Sequence, residues 1–206
     1  MHLGVLILAA GASSRMGRPK LLLPWGGTTI LGSLLAAWRA LGARQIAVVR
    51  AAGNDALSAE LDRLGFHASQ VILNPAPERG MFSSIQCAAR WTGWEPGLTH
   101  FPIVLGDQPH VSKTTLRSLL DFAAAHPANI CQPARGGRGR HPVVLPATAF
   151  SRLAGTKAEN LRQFRNEAHE GLALWESDDA GLDLDLDQPA DYERALKEFA
   201  PPRDST

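Results

Sequence analysis

Strand-like and helix-like segments alternate along nearly the whole 206-residue chain, which predicts an α/β fold with a mostly parallel sheet. The first run, HLGVLIL (residues 2–8), is apolar without a break, as a central strand covered on both faces must be. The first two helical segments each end on glycine. Right-handed crossovers would gather the loops after the strands along one sheet edge, where ligands belong. A single domain over residues 1–200 is expected, with PPRDST (201–206) as a frayed tail.

In chain order, TTILGSLLAAWRALG (28–42) sets Ile30, Leu31, Leu34, Leu35, Trp38 and Leu41 at helical spacing, with Thr28 or Thr29 as cap and Gly42 as stop. RQIAVVR (44–50) reads as a strand, NDALSAELDRLG (54–65) as a helix, QVILN (70–74) as a short strand and SSIQCAARWT (83–92) as a helix. HFPIVLGDQPHV (100–111) is a buried strand ending in Gly-Asp-Gln-Pro, and SKTTLRSLLDFAAAH (112–126) is a helix capped by Ser112. ANICQPA (128–134) and HPVVLP (141–146) read as strands around the loop RGGRGR (135–140). ENLRQFRNEA (159–168) reads as a helix, LALWE (172–176) as a strand and PADYERALKEFA (189–200) as a helix entered at Pro189.

Composition narrows the function. Lys and Arg total 21 against 20 Asp and Glu, so the formal charge of +1 offers no global attraction to nucleic acid or an anionic membrane. MHLGVLILAAG lacks a basic flank and is too short to span a bilayer, so neither a signal peptide nor a membrane span is expected. Cys87 and Cys131 form no C-x-x-C pair, which suits a reduced, cytoplasmic setting. His110, His126 and His169 share no ligand spacing, so no zinc site is expected.

The stretch LILAAGASSRMGRPK (6–20) leaves the first strand through glycine and at once accumulates Arg15, Arg18 and Lys20. A P-loop would need a second glycine where Met16 stands, and a dinucleotide fingerprint would need glycine at Ser13. A long cationic loop at the end of a strand can still wrap a polyphosphate, with backbone N–H groups near Gly11 and the charges of Arg15 and Lys20. The plain alternative is a loop of solvated surface cations.

LAAGASSRMGRPKLLLPWGG resembles the nucleotide-binding signature of the MobA-like nucleotidyltransferases, through Leu8, Ala9, Ala10, Gly11, Arg15, Met16, Gly17 and Lys20. The Ala-Ala-Gly spelling is similar to the cytidylyl branch of that family. NPAPERGMFSSI resembles a Gly-Met-x-x-Ser element (Gly80, Met81, Ser84, after Asn74), LGDQP a Gly-Asp-x-Pro element, and DLDQPADY a late Asp-x-Asp-x-Pro-x-Asp element. The resemblance implies a Rossmann-like three-layer sandwich of the nucleotide-diphospho-sugar transferase type. It further implies Arg15, Lys20 and Asp107 as catalytic residues, and nucleotide contacts from Leu8, Ala9, Ala10, Gly11, Asn74, Gly80, Met81 and Ser84.

Attack on the α-phosphorus of a nucleoside triphosphate calls for charge neutralisation by a hard cation, here expected to be Mg²⁺. Asp107 ends a buried apolar strand, where a carboxylate is costly unless something binds it; the alternative is turn chemistry beside Pro109. Asp183, Asp185 and Asp187 alternate with leucines, so a strand would point all three to one face. By motif position the late metal ligand is Asp187, with Asp185 close behind.

The acceptor side departs from the family pattern. RGRHPVV keeps His141 and Pro142 but has Arg140 where a Gly-His-Pro element has glycine, and GTKAENLR replaces a Gly-Asp-x-Gly-Ala-Arg-like element. His141 either binds the acceptor or hydrogen-bonds within the sheet. The expected activity is Mg²⁺-dependent transfer of a nucleotidyl group, CMP from CTP, to a phosphorylated small molecule such as molybdopterin, with pyrophosphate released. A molybdoenzyme or insertion chaperone would be the protein partner. The competing classes are a Rossmann-like NAD(P)-dependent oxidoreductase and a non-catalytic cofactor carrier.

Overall fold

A computed structural model of the chain describes residues 1–200, apart from the side chain of Ser14. The expected frayed tail at 201–206 lies outside the described residues. Strand β1 (Leu3–Ala9) is followed by a small hairpin of β2 (Pro24–Trp25) and β3 (Thr28–Thr29). Next come α1 (Ile30–Ala40), β4 (Ala43–Ala51), α2 (Asp55–Arg63), β5 (Val71–Asn74), α3 (Met81–Arg90), β6 (His100–Leu105) and α4 (Lys113–Ala125). The second half holds β7 (Ile130–Arg135), β8 (Arg138–Gly139), β9 (Val143–Pro146), α5 (Ala147–Arg152), α6 (Leu161–Asn166), β10 (Leu172–Glu176) and α7 (Pro189–Glu198).

The main sheet runs β10-β7-β9-β6-β1-β4-β5, with β8 paired to β7. Its ladders are parallel except those made by β8 and β9. Because strand side chains alternate between faces, β1 feeds two cores. Val5, Ile7 and Ala9 pack with α1, α2, α4 and α7, while Leu6 packs with α3, α5 and α6. These are the three layers of the expected α/β sandwich. Among the described residues, no helix is long and apolar enough to cross a membrane.

Local chemistry explains the boundaries. Thr29 caps α1 by accepting from the Gly32 amide, and Ser112 caps α4 by accepting from Thr115. Trp38 is fully buried on the α1 stripe. Three expectations change. α6 keeps only the middle of ENLRQFRNEA, because Asn160 caps it there. RGGRGR is a β-hairpin turn ending in β8. DLDLDQP forms no strand: Asp183 closes a 3-10 turn over Ala180–Asp183, and the chain then runs irregularly into α7.

Candidate active site

Leu8 of β1 stands opposite Leu105 of β6, so the loops leaving these two strands meet at the carboxyl edge of the sheet. The strand order reverses here, since β4 and β5 build outward on one side of β1 and β6 lies on the other. Gly106 makes the approach feasible. A Cβ there would lie 2.6 Å from the Leu8 carbonyl and 2.8 Å from Leu21 Cδ2. Asp107 therefore emerges directly beside the first loop.

That loop folds back on itself. Ser13 adopts a positive φ of 51°, its carbonyl accepts from the Met16 amide (3.0 Å), and its Oγ accepts from the Lys20 amide (3.3 Å). Met16 is buried and anchors the turn, which leaves Arg15 outward and returns Lys20 to the sheet edge. Lys20 Nζ donates to Asp107 Oδ2 at 2.6 Å and to Asp187 Oδ1 at 3.3 Å. Arg15 pairs with Asp187 Oδ2 at 2.9 Å, but its side chain is 68 % exposed against 15 % for Lys20, so the lysine contact is much the stronger.

Leu8, Ala9, Ala10 and Gly11 line one wall of a cleft of about 190 Å³, Gly80, Met81 and Ser84 line the other, and Lys20 and Asp107 stand at its end. Past Gly11 and Ser13 it adjoins a hollow of about 500 Å³ bounded by Arg18, Gly53 and Asn54. Asn74 does not line the cleft. It is buried, donating to Ser83 Oγ (2.8 Å) and Ser84 Oγ (2.9 Å) and accepting from the Ala76 amide (3.0 Å). Its amide fixes the start of α3 and positions Ser84, which does line the cleft.

The three late aspartates part company. Asp183 turns away to Arg135 and Arg140, and those guanidiniums hold its carboxyl below the usual range. Asp185 accepts from Gln108 Nε2 at 2.8 Å, and burial, then the Asp107 and Asp187 charges, raise its pKa. Asp187 alone reaches Lys20. Two residues not singled out from sequence arrange this segment. Gln108 holds Asp185, and buried His110 places Nε2 3.0 Å and 2.7 Å from the Gly181 and Leu184 carbonyls. Their adjacency to Asp107 in GDQPH was the available signal. The Leu186 amide also approaches the Asp107 carbonyl at 3.4 Å.

His141 stands outside the cleft, in a second pocket whose shared wall is Met81. Burial depresses its pKa to about 4, so it is neutral near pH 7. Among the described residues, no three His, Cys, Asp or Glu side chains are gathered as a metal site. Lys20 stands between Asp107 and Asp187 instead. Even so, the donors fit a hard cation: they are carboxylate oxygens, and buried Asp107 Oδ1 has no hydrogen-bond partner.

Three relatives give this geometry a context. Nicotine blue oxidoreductase of Paenarthrobacter nicotinovorans is 31% identical over 73% of this chain and 74% of its own. Purine catabolism protein PucB of Bacillus subtilis is 30% identical over 91% and 93%, and molybdenum cofactor cytidylyltransferase of Escherichia coli is 26% identical over 94% and 95%. The crystal structure of Rv0371c from Mycobacterium tuberculosis in complex with manganese superposes with a TM-score of 0.71 at 26% identity, covering 97% of this chain and all of that one. Residues 5–172 match the family model of the MobA-like NTP transferase domain. With a loop, a carboxylate edge and a sheet of this kind, the chain belongs to the MobA-like NTP transferases and is an enzyme of the nucleotidyltransferase type.

Proposed function

We propose that residues 1–200 form one nucleotidyltransferase unit that moves CMP from CTP to a phosphorylated small molecule, with molybdopterin as the nearest candidate. The observation that carries this reading is the Lys20 ammonium held between Asp107 and Asp187 at the end of the cleft. A single ammonium bridges two carboxylates there, offsetting one of their two charges, and it lines the cleft in which phosphate oxygens would lie. The CTP choice is supported by the Ala9-Ala10-Gly11 spelling and by similarity to a cytidylyltransferase along almost the whole chain.

In this scheme a phosphate oxygen of the acceptor attacks the α-phosphorus in line. The bond from that phosphorus to the β-phosphate bridging oxygen breaks, and pyrophosphate leaves with the electron pair. An acceptor that is already an ionised phosphate needs no general base. Lys20 transfers its hydrogen bonds from the carboxylates to the triphosphate, and Arg15, exposed at the rim, adds a second cation. Asp107 and Asp187, with Asp185 behind them, would hold Mg²⁺, which supplies charge neutralisation at the phosphates. Ala9, Ala10 and Gly11 bring backbone close to the nucleotide, and Ser84 with Met81 forms the facing wall. Cytoplasmic placement and delivery of the product to a molybdoenzyme or its insertion chaperone belong to the same proposal.

The test is thermal unfolding with CTP, GTP, ATP and NAD, each with and without Mg²⁺. A ligand at about 100 times its Kd adds roughly 2.7 kcal/mol to a two-state fold. The expected result is a Mg²⁺-dependent shift that is largest for CTP. A shift with NAD alone, and none with CTP, would overturn the proposal that CTP is the donor.

A further inference from the structure

Across Met81 from the nucleotide cleft lies a pocket of about 210 Å³ in which unsatisfied polar groups converge. Gln132 of β7 is 1% exposed, yet its Oε1 has no partner among the described residues. Gly139 makes room for it, since a Cβ there would lie 1.7 Å from Gln132 Nε2. His141 Nδ1 and Arg165 Nε are likewise buried and unpartnered. Arg162 lines the same pocket, and among the described residues neither it nor Arg165 has a carboxylate partner. Burial, then the Arg162 charge, lowers the Arg165 pKa. Arg140, also at the wall, is engaged by Asp183.

The orphans describe their missing ligand. Guanidiniums only donate, so Arg162 and Arg165 call for an oxyanion. His141 hydrogen-bonds the Ile103 carbonyl, so its neutral ring keeps Nδ1 as a lone pair. Nδ1 and Gln132 Oε1 are therefore both acceptors and call for N–H or O–H groups. We infer that this pocket holds the acceptor substrate and selects a small polar molecule carrying an oxyanion beside N–H or O–H donors. The inference rests on the nucleotidyltransferase reading of the adjoining cleft. It assigns acceptor choice to Gln132, His141, Arg162 and Arg165, of which Arg162 closes the GTKAENLR stretch that departs from the family element.

Calorimetric titration of the full chain with inorganic phosphate, sulfate and malonate, with CTP and Mg²⁺ absent or saturating, tests this. Phosphate carries an O–H near neutral pH and sulfate does not. Phosphate should bind with or without CTP and more tightly than sulfate, and Arg165→Met should weaken it about tenfold. Arg162→Met, at an exposed position, should act in the same direction and guards against misfolding of the first variant. Tighter binding of malonate, whose dianion carries no N–H or O–H near neutral pH, would overturn the selection for a donor beside the oxyanion. Displacement of phosphate by CTP, equal affinity for sulfate, or binding unmoved by both substitutions would overturn the inference. If CTP fails to bind while phosphate remains sensitive to Arg165→Met, the reading of the cleft falls and the anion site stands.

Discussion

Lys20 is the residue on which most of the site's electrostatics turns. Replacing it with Met leaves Asp107 and Asp187 side by side, with side chains only 19% and 32% exposed. The ligand-free protein should lose roughly 2–4 kcal/mol, the scale expected for a partly buried pair deprived of its partner. Added Mg²⁺ should recover more stability in this variant than in the natural chain, which melting curves with and without the cation would show. Asp107→Asn keeps the shape and loses the charge. Turnover of CTP should fall roughly 10²–10³-fold while the melting temperature stays near that of the natural chain; retained activity with Mg²⁺ would remove Asp107 from the catalytic set. Much of this was legible because the Leu8–Lys20 loop is continuous in sequence and Asp107 visibly ends an apolar strand. Asp183 was not, because the guanidiniums that draw it away come from Arg135 and Arg140, more than 40 residues upstream. Asn74 was expected beside the nucleotide, and the fold turns its amide onto Ser83 and Ser84, nine and ten residues further along the chain.

Among elements, the contact of β1 with β6 decides where the chemistry sits, and Gly106 is its closest point. Gly106→Ala places a methyl 2.6 Å from the Leu8 carbonyl, a backbone atom that cannot swing aside. The expected cost is about 1–3 kcal/mol of stability, accompanied by a loss of activity as Asp107 moves relative to Lys20. Urea unfolding and CTP turnover, measured on the same preparation, would expose a mere surface effect by leaving both unchanged. The sequence pattern revealed the long elements and some short ones, β5, β9 and α6 among them, but missed others. α5 spans six residues, ATAFSR, too few to repeat a stripe, and β2 with β3 makes a hairpin of two residues a side around Gly26-Gly27. The reversed direction of β9 is a property of pairing between β6 and β7, which a run such as VVLP does not encode alone.

For the whole molecule, acid should be the revealing stress. His141 is held down at about 4, and His100 and His110 are lowered as well, in each case chiefly by burial. The folded chain keeps these rings neutral where the unfolded chain, with ordinary values near 6.5, binds protons. Stability is therefore full above about pH 7 and declines as the pH falls from about 6.5 towards about 4, with His141 alone removing about 3 kcal/mol. Denaturant midpoints across that range would check it, and a flat profile would mean that the imidazoles titrate freely. A different consequence follows from the ammonium that bridges Asp107 and Asp187. On the proposed roles, a divalent cation arriving alone meets carboxylates already engaged by the Lys20 ammonium and, at Asp187, by Arg15, while a triphosphate arriving alone must draw Lys20 away from them. Together, each ligand removes the obstacle to the other. On those roles the site would behave as a coincidence detector, loading more steeply when both are abundant than when either is scarce.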